Sequence, residues 1–138
     1  MQSIEKVLYT ARVRTRGGRD GEARSDDGRL QVRLTPPGAP GEGSNPEQLF
    51  AAAWSACFIG ALRHAAHARK LEFPAETAVD SQVELMHGEH GFFLRAHLAI
   101  ELPGLEPELA QCLVDAARHS CPYTKALRGH IAVTLSLR

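Results

Sequence analysis

The chain has no net charge: sixteen lysines and arginines balance sixteen aspartates and glutamates across 138 residues. That balance gives no electrostatic reason to expect nucleic acid or an anionic membrane surface as partner. Long hydrophobic runs are also missing. The longest nearly uncharged stretch, Leu49 to Leu62, falls short of the ~20 residues that span a bilayer. The opening MQSIEKVLYT lacks the basic flank, apolar segment and small-residue cleavage site of a secretory leader. A cytoplasmic location is expected. Cysteine is scarce and odd in number: Cys57, Cys112 and Cys121 contain no CxxC pair, which argues against a secreted disulfide scaffold and a structural zinc site. Reduced or redox-active thiols are the better reading. His64 and His67 sit one turn apart, and His87 and His90 bracket a turn, but no HExxH or zinc-finger spacing is present. No glycine-rich phosphate motif follows a strand, so neither metal nor cofactor is expected.

What is present suits one compact domain over residues 1–138, with 43% hydrophobic content and enough length to bury a substantial core. Residues 7 to 16, VLYTARVRTR, alternate as a strand with one solvated face. GGRDG must then be a turn or mobile loop, because clustered glycines hold regular structure poorly. GRLQVRLT reads as a second strand, and PPGAPGEG as a loop. Ser44 or Asn45 suits an N-cap, Pro46 the first helical position, and Gln48 a capping box, so a helix is expected from about Pro46 to Lys70. Its first half is apolar nearly all round, which marks a buried helix; Arg63, His64, His67, Arg69 and Lys70 return the second half to water. Strands are expected at Val79–Met86 and Phe92–Leu102, and an amphipathic helix in EPELAQCLVDAARHS. That helix must end before Pro122. A short helix in PYTKAL, with Cys121 at its N-cap, and a strand in HIAVTLSLR close the chain. The order ββαββααβ gives an α+β domain with antiparallel sheet.

Three fragments, GGRDG, NPEQLFAAAWSACFIGAL and CPYTKALRGHIAVTL, occur in an order that resembles the organic hydroperoxide resistance (Ohr) branch of the Ohr/OsmC family of thiol peroxidases. The resemblance covers nearly the whole chain. It implies an OsmC/Ohr-like fold in which antiparallel sheets wrap a buried central helix, within an intertwined homodimer. It also implies that Cys57 reacts with the peroxide, that Cys121 resolves the product to a disulfide, and that Arg19 and Glu47 are the charged pair activating Cys57. The implied substrate is an organic hydroperoxide, and the implied reductant a dithiol of lipoyl type. One departure stands out: Ohr proteins usually carry Ser-Asn-Ala-Thr after CPY, whereas Thr124, Lys125, Ala126 and Leu127 stand here, and KAL is closer to the OsmC branch. Arg128 and Gly129 return to the Ohr pattern. An OsmC-branch peroxidase of broader substrate range, and a non-catalytic redox-sensing dimer that binds a hydrophobic ligand, are the competing readings.

Physical chemistry adds its own constraints. A free thiol with pKa ~8.5 is only a few per cent ionised at neutral pH, and the thiolate is the nucleophile. Burial in a fully apolar site raises that pKa by up to roughly 3–5. Mid-helix, Cys57 is too far from the helix N-terminus to gain from its dipole, so a cation is required. One guanidinium at ~4 Å with an effective dielectric near 20 contributes about 4 kcal/mol, close to the burial penalty. Glu47 beside the thiolate would oppose ionisation, so its role is to hold Arg19. Ten positions separate Glu47 from Cys57, about 15 Å along one helix; if both serve one site, Glu47 must meet the Cys57 of another subunit. Leu49, Phe50, Trp54 and Phe58 are candidates to line an apolar substrate pocket. Taken singly, Cys57 would be an inert core thiol, Arg19 a solvated loop charge and Glu47 a first-turn carboxylate; Cys112 has only a packing reading.

Overall fold

The computed structural model describes residues 4–138, which form two compact units, one ending at Pro46 and the other spanning Glu47–Arg138. In the first unit, β1 (Val13–Arg16), β2 (Glu22–Ser25) and β3 (Gln31–Arg33) make an antiparallel sheet in that order. The strand expected from residue 7 begins only at Val13, because β2 ends at Ser25 opposite it and a last bond, from the Asp26 N–H to the Arg12 carbonyl, closes the pairing. β2 is absent from the expected order, which becomes βββαββααβ. Its four residues, Glu-Ala-Arg-Ser, put a single alanine on the buried face, too little apolar periodicity to declare a strand.

GGRDG is the β1–β2 hairpin connection. Gly17 has φ +75° and precedes one turn of 3-10 helix at Gly18–Asp20 that carries Arg19. Gly21 closes it with no room for a Cβ beside the Arg16 carbonyl oxygen. The glycines therefore fix a tight turn here and leave Arg19 on a defined piece of backbone.

The second unit is built on α1 (Pro46–Ala68), β4 (Ala78–Gly88), β5 (Gly91–Glu101), α2 (Pro107–Ser120), α3 (Pro122–Leu127) and β6 (Ala132–Leu137). β5 is central in the sheet, antiparallel to β4 but parallel to β6. The sheet is thus mixed, which corrects the wholly antiparallel expectation. α2 and α3 form the crossover that a parallel pair requires, since a tight turn cannot bring the chain back to the same end of the sheet.

Trp54, Phe58, Ala61, Leu62, Ala65 and Ala66 of α1 pack with Ala96, Leu98 and Ile100 of β5, and with Ala110, Leu113, Val114 and Ala117 of α2. The alternation along β5 points one row of side chains at the helices, as period two demands. Phe92, at the far end of that row, is exposed. Ser55 and Ser81 both donate to the Ala51 carbonyl, at 2.7 and 2.9 Å, which pins α1 to β4. Among the described residues α1 is the one helix long and apolar enough to cross a membrane; its packing against β5 and α2 accounts for the apolarity of one face. The stripe Ala52, Ala56, Gly60 on another face is exposed in a single chain.

Candidate active site

Cys57 and Cys121 face each other, with the Cys121 thiol donating to the Cys57 sulfur at 3.3 Å. Backbone rules put them there. The residue before a proline is kept out of helical conformation, and Cys121 accordingly adopts φ −64°, ψ 118°. Its N–H closes α2 on the Ala117 carbonyl, and its own carbonyl accepts the first α3 bond, from Lys125. One residue ends one helix and starts the next, so its side chain is set at the corner between them. Cys121 is fully buried in the core, whereas Cys57 is half-buried on α1. Both thiols are free, and closing the gap to a disulfide of ~2.05 Å requires a movement of just over 1 Å.

Burial pushes the Cys57 thiol above its ordinary pKa, and the adjoining Cys121 thiol adds to the rise; a hydrogen bond from the Tyr123 main chain opposes both. Tyr123 is the second residue of α3, where a helix has N–H groups without intrahelical partners. The start of α3 therefore supports the Cys57 sulfur, a link hidden in the sequence because it joins positions far apart in the chain. These effects leave Cys57 a poor thiolate, in keeping with the need for a cation. His64 and His67 occupy the exposed face of α1, and no cluster of His, Cys, Asp or Glu suited to a metal occurs among the described residues.

Beside Cys121 lies an open apolar pocket of about 350 Å³ lined by Phe50, Pro122, Tyr123, Ala126 and Leu127. Of the four apolar residues singled out in α1, Phe50 lines it. Trp54 and Phe58 are fully enclosed in the core, and Leu49 is half-buried outside the pocket wall. The remaining wall comes from the α3 segment. Phe50 stands edge-on to Trp54, with ring centroids 5.6 Å apart, so the pocket wall rests on the core. α1 runs unbroken from Glu47 through Cys57, which keeps these two side chains of one chain far out of bonding reach. Arg19 lies in the first unit, on its hairpin turn. Cys112 is exposed on α2, not packed inward.

The OsmC-like protein family model matches residues 38–136. The organic hydroperoxide resistance protein of Xanthomonas axonopodis pv. citri is 48% identical over 141 residues, covering 99% of each chain. The chain belongs to the Ohr/OsmC family. Among solved structures, OhrB of Bacillus subtilis superposes with a TM-score of 0.90 at 44% identity, covering 96% of this chain and 100% of that one. An organic hydroperoxide resistance protein of Elizabethkingia anophelis, with crystallant-derived thiocyanate bound, gives a TM-score of 0.86 at 39% identity, covering 97% and 100%. The α+β, OsmC/Ohr-like fold is thereby established. Kinship with proteins of organic hydroperoxide resistance at this level supports a role in peroxide detoxification.

Proposed function

We propose that the chain is a cysteine-based peroxidase that reduces organic hydroperoxides to alcohols. The observation that carries this reading is the pair of free thiols 3.3 Å apart, one buried and one half-buried, beside an apolar pocket. The Cys57 thiolate attacks the outer peroxide oxygen; the O–O bond breaks, the alkoxide leaves and takes a proton as the alcohol, and Cys57 becomes a sulfenic acid. The Cys121 sulfur then attacks the Cys57 sulfur, forming the S–S bond as hydroxide leaves and takes the thiol proton as water. A dithiol reductant, of lipoyl type, returns both cysteines to thiols and is itself oxidised to a disulfide. Phe50, Pro122, Tyr123, Ala126 and Leu127 favour an alkyl or lipid hydroperoxide over hydrogen peroxide by hydrophobic complementarity.

Arg19 supplies the cation that offsets the burial of Cys57, and Glu47 orients Arg19. The unit of function is a homodimer with active sites at the subunit interface. Three observations favour that assembly. Ten positions of continuous helix separate Glu47 from Cys57, the small-residue stripe Ala52, Ala56, Gly60 is exposed where a second helix can approach closely, and large apolar side chains stand exposed at Val7, Leu8 and Tyr9 in one unit and Phe92 and Phe93 in the other.

Steady-state peroxide consumption tests the activity. With cumene hydroperoxide and dihydrolipoamide, the purified protein should turn over many times per chain, and faster than with hydrogen peroxide. A single stoichiometric oxidation with no recycling by several dithiols would leave a redox sensor instead of an enzyme.

A further inference from the structure

The two helices that carry the cysteines are joined a second time. The Trp54 indole N–H donates to the Thr124 hydroxyl at 2.9 Å, in a buried position. Trp54 lies three positions before Cys57 on α1, and Thr124 three positions after Cys121 on α3. On each helix that is one turn from the sulfur. Trp54 is 0% exposed and Thr124 8%, so neither partner has water as a ready substitute, and a buried indole N–H without an acceptor is strongly disfavoured. α3 has six residues, too few to hold itself helical. Its position, and hence that of Cys121, depends on tertiary contacts such as this one.

We propose that the Trp54–Thr124 hydrogen bond is a positioning latch that keeps Cys121 within reach of the Cys57 sulfenic acid and so protects Cys57 from over-oxidation. The inference rests on the peroxidase reading. Once the sulfenic acid forms, two reactions compete for it. Cys121 attacks sulfur, giving the disulfide and water. Alternatively, a second hydroperoxide delivers an oxygen to the same sulfur, giving the sulfinic acid and a second molecule of alcohol. The first is intramolecular and depends on geometry; the second depends on peroxide concentration. The fraction of Cys57 lost per turnover therefore measures how well α3 is held. In this role Trp54 and Thr124 are positioning residues and act through the placement of Cys121.

The test is the peroxide concentration at which half of Cys57 is found as sulfinic acid by intact-mass and peptide analysis after a short exposure to cumene hydroperoxide. Thr124→Val keeps the shape and loses the acceptor. It should lower that concentration about tenfold, the equilibrium equivalent of a buried donor losing its partner. Thr124→Ser should restore it, and Trp54→Phe, which removes the donor, should resemble Thr124→Val. A role confined to stability would lower the melting temperature of Thr124→Val yet leave the half-oxidation concentration unchanged well below that temperature. That result would overturn the latch. A check needing no variant uses the single tryptophan of the chain: its indole N–H in the reduced wild-type protein should exchange with deuterium far more slowly than that of a solvent-exposed indole, and rapid exchange would also overturn the proposal. Absence of any Cys57–Cys121 disulfide in the wild type would instead defeat the peroxidase reading itself.

Discussion

The Cys121 sulfur lies 3.3 Å from the Cys57 sulfur across 64 positions of sequence. A proline at 122 forces the chain to turn at Cys121, and the packing of α2 and α3 on α1 brings that turn to the middle of the buried helix. In this arrangement burial holds the Cys57 thiol above its usual pKa, and a hydrogen bond from the Tyr123 main chain works against it. Supplying a favourable charge is the role proposed for Arg19.

Arg19→Ala should therefore slow the reaction of Cys57 with cumene hydroperoxide at pH 7 by roughly a hundredfold to a thousandfold, the loss of one guanidinium at close range. The sign of the pH dependence follows. Without the cation burial dominates, the thiolate is the minor form at pH 7, and the rate should climb about tenfold per pH unit until it passes the raised pKa. The wild type should level off at lower pH. Stopped-flow rates from pH 6 to 10 check this, and parallel profiles for the two proteins would remove Arg19 from the activation of Cys57.

The same raised pKa bears on stability of the reduced chain when Arg19 is absent. A thiol that binds its proton more tightly when folded stabilises the fold below its unfolded pKa, and this contribution is lost as pH rises through the folded value. Urea midpoints of Arg19→Ala should fall between pH 8 and 10 more than those of Arg19→Ala combined with Cys57→Ser. Equal slopes would mean that burial does not govern Cys57.

Mixed dimers test the proposal that Glu47 acts across a subunit interface. Glu47→Ala and Cys57→Ser homodimers should each be severely impaired. After subunit exchange, a heterodimer pairing one of each should regain one working site, about half the wild-type activity per dimer, because an intact Glu47 then faces an intact Cys57. If no activity returns although exchange is confirmed by mass, Glu47 does not act across the interface.

Phe50→Ala removes one wall of the apolar pocket. The loss should fall on organic substrates, lowering kcat/KM for cumene hydroperoxide by about tenfold or more, in line with the weight of lost apolar contacts, while hydrogen peroxide is affected little. An equal fall for both peroxides would show that Phe50 supports the cysteines, not the substrate.

How much of this was legible in the sequence varies with the physics involved. α1 announced itself through Pro46 and its apolar run, and α3 through Pro122, because caps and prolines act locally. β5 was equally plain from its unbroken alternation, from Phe92 to Leu102. β2 was hidden because its place at the centre of the first sheet rests on backbone bonds to β1 and β3, with Ala23 as its one buried residue. The parallel register of β6 was hidden because it follows from the α2–α3 crossover and leaves no mark on the strand itself. The two cysteines were singled out by the resemblance of their flanking motifs to the Ohr/OsmC family, Cys57 alone reading as an inert core thiol, whereas Tyr123 and Thr124 carried no such signal: their contacts are with residues 66 and 70 positions away. Trp54, apolar and near Cys57 in sequence, read as a pocket residue, whereas helical geometry turns it into the core one turn away.

The most direct measurement is the fate of the two sulfurs after one equivalent of cumene hydroperoxide is added to the reduced protein. Peptide mapping under non-reducing conditions should find a Cys57–Cys121 disulfide within each chain, one equivalent of cumyl alcohol, and Cys112 still a thiol. Cys57→Ser should yield no alcohol, and Cys121→Ser should stop at the sulfenic or sulfinic acid of Cys57. Oxidation falling on Cys112, or alcohol formed at the wild-type rate by Cys57→Ser, would contradict the account at its centre.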